Sequence, residues 1–169
     1  MKTILCFGDS NTWGYNPRDC GRYDPEIRWP GVVRKKLGQG FLVVEEGLNG
    51  RTTVWDDPIV AVNRSGKAVL PVCLETHKPL DLVIIMLGTN DLKLQFSLPA
   101  VDIAKGAGLL LDLVSYSKAG PKETNPFCLL ISPPYMGEEP AFDGMFDLTR
   151  NKSKQLAPFY KREVDLRQG

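Results

Sequence analysis

Three short polar turns carry the groups in this sequence that could perform acyl transfer. Ser10, which follows an apolar run, offers a hydroxyl nucleophile. The backbone N–H groups of Ser10 and Gly50 could donate hydrogen bonds to an oxyanion, and the side-chain amide of Asn90 could supply a third donor. Donors that are held in place before the reaction are worth about 3 to 4 kcal/mol each to an acyl-transfer transition state.

The turn Gly8-Asp9-Ser10, taken alone, also has a simpler interpretation, because Asp and Ser favour both turns and helix N-caps. Asp9 could hydrogen-bond within its own turn or act beside the nucleophile. Trp13 could line an acyl pocket or merely cover the sheet. We therefore keep Asp9 and Trp13 as candidate substrate-binding residues and turn to the elements that must position the three turns.

Four apolar runs predict β-strands. They are Ile4 to Phe7, Phe41 to Glu45, Asp81 to Leu87 and Phe127 to Ile131. Four segments between or after them predict helices, namely Arg28 to Leu37, Val69 to Thr76, Leu98 to Ser117 and Phe146 to Val164. This alternation favours an α/β fold of three layers, with a parallel sheet between helices.

The parallel sheet has a direct consequence for the three turns. We expect the strands beginning at Ile4 and Asp81 to be neighbours at its centre, with the strand beginning at Phe127 beside the second of them. Because parallel strands end at the same edge, Ser10, Gly50 and Asn90 would gather at the carboxyl edge, where open α/β sheets bind ligands.

Length, charge and cysteine content limit the class of protein. The 169 residues, 43% of them hydrophobic, predict one domain over 1–169. A net charge of +1 gives no reason to expect nucleic acid or an anionic membrane, and so favours a small-molecule partner. The sequence has no signal-peptide core and no membrane-spanning run, and we expect a cytoplasmic protein.

The motifs for metals and nucleotides are missing from the sequence. Cys6, Cys20, Cys73 and Cys128 show no Cys-x-x-Cys spacing, which favours reduced thiols and predicts no metal site. No Gly-x-Gly-x-x-Gly or Walker loop follows a predicted strand, so a nucleotide-binding domain is disfavoured and no cofactor is expected.

The three turns resemble, in order and spacing, the first three blocks of the SGNH (GDSL) hydrolases. The segments Ile4 to Gly14, Glu45 to Thr53 and Leu82 to Asp91 look like the bacterial arylesterase and acyltransferase subgroup. The resemblance implies a flavodoxin-like fold and an acyl-enzyme on Ser10, with Ser10, Gly50 and Asn90 as oxyanion donors. It also implies short acyl esters as substrates, such as aryl or alkyl acetates or acetylated carbohydrates.

The sequence departs from that family at the fourth block, Asp-x-x-His, which it does not contain. His77 is its one histidine. It precedes the Asp81 to Leu87 strand, whose seven residues span about 23 Å, so we expect it to lie too far from Ser10 to act as its base.

Two functions remain open on this sequence. One is an esterase or acyltransferase that is impaired because the chain lacks the family's last strand, catalytic loop and helix. The other is a non-catalytic module that binds a small ligand on the same fold. In either case Phe127 to Ile131 would be an unprotected edge strand, and we expect a homo-oligomer.

Overall fold

The structure is a computed structural model that describes residues 1–137 and 144–167. A four-stranded parallel sheet forms the centre of the molecule. Its strands are β1 (Lys2–Gly8), β4 (Phe41–Gly47), β5 (Leu82–Met86) and β6 (Phe127–Ile131), in the order β4-β1-β5-β6. The register sets Gly8 opposite both Gly47 and Met86, so the three strands that precede the polar turns end level with one another.

The expected parallel α/β sheet, with β1 and β5 adjacent at its centre and β6 beside β5, is confirmed. The helices are α1 (Ser10–Trp13), α2 (Trp29–Leu37), α3 (Gly66–His77), α4 (Ala100–Ser115) and α5 (Arg150–Asp165). Two-residue strands β2 (Tyr15–Asn16) and β3 (Gly21–Arg22) form a small hairpin between α1 and α2.

The helices pack on both faces of the sheet because side chains alternate along each strand. Ile4, Cys6 and Ile84 face α2, where they meet Trp29 and Val33. The opposite face packs against α3 and α4, and α5 lies against α4. This opposite-face core includes Leu5, Phe7, Val83, Ile85, Leu70, Leu74, Leu110 and Val114.

Two helix boundaries differ from the sequence-based expectation. Helix α3 begins at Gly66 rather than near Val69, because the carbonyls of Thr52 and Thr53 accept the N–H groups of its first turn at 3.1 and 2.9 Å. Local periodicity does not report such long-range contacts. Helix α5 begins at Arg150 rather than Phe146, since Leu148 adopts a left-handed conformation with φ of +60°.

Strand β6 forms one edge of the sheet and pairs only with β5 in the described part of the chain. The side chain of Phe127 is 82% exposed and that of Leu129 47% exposed. A row of apolar side chains beside an unpaired backbone edge is a surface that favours association. Nowhere in residues 1–137 and 144–167 is there a helix long and apolar enough to cross a membrane.

Candidate active site

Ser10 is the first residue of α1, directly beyond the end of β1. Asp9 caps this helix by accepting a hydrogen bond from the Asn11 N–H at 2.9 Å. The N–H of Ser10 has no partner within the helix, as is usual in a first turn. Its hydroxyl has no hydrogen-bond partner among the described residues, so both groups can interact with a ligand.

Gly47 allows α1 to lie directly on the end of β4. A Cβ at this position would come within 2.2 Å of the backbone nitrogen of Trp13. Only glycine permits so close an approach between two backbones. The contact fixes the position of the helix that begins with Ser10 relative to the turn that follows β4.

Gly50 lies in the turn after β4 with φ of +82°, a left-handed conformation that favours glycine. The turn is fixed by two backbone bonds, from Leu48 N–H to Gly8 O at 3.1 Å and from Arg51 N–H to Leu48 O at 3.0 Å. The Gly50 N–H donates to no acceptor in the described residues. It therefore remains available as an oxyanion donor.

Asn90 begins a short 3₁₀ turn beyond β5 and is only 5% exposed. One hydrogen of its side-chain amide is donated to the Arg51 carbonyl, with an N–O distance of 3.0 Å. An amide NH₂ has two hydrogens. The second is left for a ligand.

These three residues meet at one cavity of about 530 Å³ at the carboxyl edge of the sheet. Its described lining also includes residues from α1, the β2 strand and its surroundings, the Gly50 turn, and the segments after β5 and β6. These are Asn11, Tyr15, Pro17, Asn49, Thr89, Lys93, Pro134, Tyr135, Met136, Gly137, Met145 and Phe146. The wall thus combines aromatic and thioether side chains with a few polar groups, as small-molecule sites commonly do.

Lys93 and Tyr135 are cavity residues that the sequence analysis missed. Lys93 directly follows the 3₁₀ turn Asn90–Leu92 and leaves it with an extended backbone, φ −51° and ψ 139°. Its closeness in sequence to Asn90 is the one signal that could have identified it. Lys93 is buried, and its ammonium lies 3.4 Å from the Asp57 carboxylate. Tyr135 comes from an irregular segment, and nothing in its neighbours indicates the cavity.

Asp9 and Trp13 do not line this cavity, and a role for them in substrate binding stays a prediction. The Trp13 ring stacks under the Arg22 guanidinium at 4.8 Å, and its carbonyl accepts the Arg22 Nε–H at 2.7 Å. Asp9 is fully buried, with one carboxylate oxygen bonded to Asn11 and the other without a partner in the described residues.

Burial raises the pKa of Asp9 from 3.8 to about 6, although the Asn11 hydrogen bonds and the nearby Arg51 charge partly oppose the shift. The pKa of Asp91 is likewise raised to about 6, chiefly by burial and further by the charge of Asp9, against the hydrogen bonds from Thr53. Two buried carboxyl groups with raised pKa values therefore lie beneath the site.

His77 does not line the cavity. Its Nε2 lies 2.7 Å from the Glu46 carboxylate, near the end of β4, so the side chain forms a specific pair with that strand. That it does not act as the base of Ser10 stays a prediction. In the described part of the chain, no cluster of three or more His, Cys, Asp or Glu side chains could hold a metal ion.

A parallel α/β sheet with a serine hydroxyl and unused hydrogen-bond donors at its carboxyl edge is an arrangement that suits an ester hydrolase. Within that class, the chain belongs to the GDSL-like Lipase/Acylhydrolase family, whose sequence model matches residues 6–165. The expected SGNH-type fold, ester-hydrolase class and arylesterase subgroup are thereby confirmed.

Solved structures similar to this one include several esterases. A carbohydrate acetylesterase family member from Sinorhizobium meliloti is 45% identical with a TM-score of 0.91, and the match covers 98% of this chain and 79% of that one. Est24, a carbohydrate acetylesterase from the same organism, is 41% identical with a TM-score of 0.92, covering 99% and 81%. The inhibitor-bound aryl esterase of M. smegmatis is 42% identical with a TM-score of 0.91, covering 99% and 81%. No curated protein sequence matched.

Proposed function

We propose that the chain hydrolyses or transfers short acyl groups through an ester formed on Ser10. The observation that carries the proposal is the meeting of the Ser10 hydroxyl, the Gly50 turn and the Asn90 amide at one cavity. A nucleophile and several donors with unused N–H groups, all at one site, match the requirements of acyl transfer. The small-molecule partner would be an ester.

The reaction follows from these positions. The Ser10 oxygen attacks the ester carbonyl carbon, and the carbonyl oxygen becomes an oxyanion that accepts hydrogen bonds from Ser10 N–H, Gly50 N–H and Asn90 Nδ2. The C–O bond to the alcohol then breaks, and the alcohol leaves with the proton that Ser10 loses. Water or a second alcohol takes the acyl group from Ser10 by the same steps in reverse.

The walls of the cavity favour a small acyl group on an alcohol that has both apolar and hydroxyl-bearing surface. Tyr15, Tyr135 and Phe146 offer aromatic contact, whereas Asn49 and Lys93 offer hydrogen-bond donors. The carbohydrate acetylesterases and the aryl esterase among similar structures support acetylated carbohydrates or aryl acetates as substrates.

The 169-residue chain by itself should turn substrate over slowly. Its single histidine does not line the cavity, and a serine hydroxyl without a neighbouring base is a weak nucleophile at neutral pH. The unpartnered Ser10 hydroxyl also favours the second candidate function, a module that binds an ester in the same cavity without cleaving it.

Covalent labelling separates the two functions without depending on turnover. An alkyl fluorophosphonate, incubated for hours at mildly alkaline pH, forms a bond from phosphorus to the Ser10 oxygen, while fluoride leaves and water takes the proton. Mass spectrometry of the tryptic peptide 3–18 should show the adduct in the folded chain. The Ser10→Ala variant and the urea-unfolded chain should lack it. Reaction at other serines only, or ligand binding seen by NMR without any adduct, would reject the acyl-transfer proposal.

Two further proposals concern the surroundings of the protein. The exposed edge of β6 supports self-association into a homo-oligomer. The four cysteines are free thiols, and three of them are buried or half-buried within the core elements, which supports a reducing, cytoplasmic setting.

A further inference from the structure

We infer that Arg51 is a positioning residue, which holds the Gly50 and Asn90 donors in place relative to Ser10. The inference rests on the proposed oxyanion role of those two donors. Arg51 directly follows Gly50 in the chain, and its backbone carbonyl accepts the Asn90 amide at 3.0 Å. One residue therefore contacts the parts of the site that belong to β4 and to β5.

The side chain of Arg51 extends this connection to β1. Its Nη1 donates to the Gly8 carbonyl at 3.0 Å and also to the Glu46 carbonyl. Gly8 is the last residue of β1, two residues before Ser10, and Glu46 is the penultimate residue of β4. The guanidinium thus links the strand that leads to the nucleophile with the strand that leads to Gly50.

The guanidinium is rigidly enclosed. Arg51 is 3% exposed, and its guanidinium carbon lies 4.2 Å from the centre of the Phe7 ring, in a cation–π contact. Its Nε is buried without a partner in the described residues. Burying an incompletely paired charge costs stability, so the position of this side chain is better explained by what it holds in place.

The geometry gives the two donors a common support. The Gly50 N–H belongs to the peptide between Asn49 and Gly50, inside the turn that the bond from Arg51 N–H to the Leu48 carbonyl closes. Because the side chain and the carbonyl of Arg51 are also held, this end of the turn is fixed and the Gly50 N–H keeps its direction. The same carbonyl engages one hydrogen of Asn90 Nδ2 and so orients the other. Preorganised donors contribute to catalysis only where their direction is fixed before the charge develops.

Kinetics of Ser10 phosphonylation test this role. Saturation with the fluorophosphonate separates reversible binding from the maximal labelling rate. Arg51→Lys should lower the maximal rate by about 10- to 10²-fold with little change in binding, and Arg51→Met should lower it further. The matched controls are Arg34→Lys and Arg34→Met. Arg34 pairs with Glu45 on the α2 face of β4, and its replacement should leave the labelling rate unchanged.

A double variant tests whether Arg51 acts through Asn90. If it does, Arg51→Lys should reduce the labelling rate by a smaller factor in the Asn90→Ala background than in the wild-type chain. Fully additive losses would overturn the inference. The inference would also be overturned if Arg51→Lys kept the maximal labelling rate of the wild-type chain while Asn90→Ala lowered it. Absence of any Ser10 adduct in the wild-type chain would instead reject the proposed function itself.

If the Arg51 variants do not fold, NMR of the wild-type chain tests whether the Arg51 carbonyl holds the Asn90 side-chain amide. The two Nδ2 protons of Asn90 should give separate NMR signals, of which one exchanges slowly with solvent because Arg51 O accepts it. Two rapidly exchanging signals would show that the carbonyl does not hold the amide, and the inference would fail.

Discussion

The buried carboxylate of Asp91 accepts a hydrogen bond from the Thr53 backbone N–H, with 3.0 Å from the nitrogen to each carboxylate oxygen. The Thr53 hydroxyl donates to the same group. Asp91 follows Asn90, and Thr53 follows Gly50 by three residues. The carboxylate therefore connects the two turns that supply oxyanion donors, and neither Asp91 nor Thr53 lines the cavity.

Replacement of Asp91 should weaken the fold. In Asp91→Ala, two buried donors of Thr53 lose their acceptor, and we expect the free energy of unfolding to fall by about 2 to 4 kcal/mol. Urea denaturation at pH 5 measures the change in the free energy of unfolding. This pH lies below the raised Asp91 pKa of about 6, so the side chain is mostly neutral and its replacement does not gain stability by removing a buried charge. Asp102→Ala, which removes a surface pair with Lys105, should cost less than about 1 kcal/mol. Equal losses in both variants would contradict the role of Asp91.

The raised pKa of Asp9 predicts a pH-dependent stability. Between its ordinary value of 3.8 and the folded value of about 6, the folded chain holds a proton that the unfolded chain has released. This contribution to stability is complete below pH 3.8 and is lost as the pH rises through 6. Asp9→Asn has no such loss, so its stability relative to the wild-type chain should rise between pH 4 and pH 7 by on the order of 3 kcal/mol.

Thermal or urea unfolding at several pH values measures this difference. Asp24→Asn makes the same change in formal charge at an exposed position and should show no comparable rise. A difference between Asp9→Asn and the wild-type chain that stays constant with pH would contradict the assignment.

Asn90→Ala should slow the reaction of Ser10 without weakening binding. Loss of one oxyanion donor lowers the rate by about 10²- to 10³-fold, and an interaction made only in the transition state does not alter reversible binding. The maximal rate of Ser10 phosphonylation measures the effect. Asn63→Ala, which removes an amide bonded to Asp56 outside the cavity, is the matched control. An unaltered rate in Asn90→Ala would remove this side chain from the oxyanion hole.

Turnover through Ser10 should be slow in the 169-residue chain, close to the background hydrolysis that the oxyanion donors alone support. Because His77 does not line the cavity, steady-state hydrolysis of p-nitrophenyl acetate should change little in Ser10→Ala, although the fluorophosphonate still labels Ser10 over hours. Rapid turnover that disappears in Ser10→Ala would mean that another group, in this chain or a second copy, acts as the base.

The edge of β6 should drive self-association. Phe127→Glu places a charge among the exposed apolar side chains and should shift the chain toward monomer in sedimentation velocity runs. Tyr116→Glu, at a position that is also 82% exposed but lies at the end of α4, should not. A wild-type chain that stays monomeric at high concentration would reject the association.

The sequence by itself determined the order of the strands, the parallel sheet and the three turns that carry Ser10, Gly50 and Asn90. These features depend on local patterns, because apolar runs mark buried strands and glycine-rich turns mark their ends. The topology then follows from the few arrangements that alternating strands and helices allow.

Only the tertiary structure decided what supports those residues. An arginine in a polar turn is ordinarily expected at the surface. The Arg51 guanidinium is instead buried, because carbonyls of β1 and β4 accept its hydrogen bonds. Lys93 and Tyr135 meet at the cavity from segments 42 residues apart. Asp9 has a raised pKa because the chain folds around it and removes water. Contacts between distant segments leave no periodicity in the sequence, so local patterns do not reveal them.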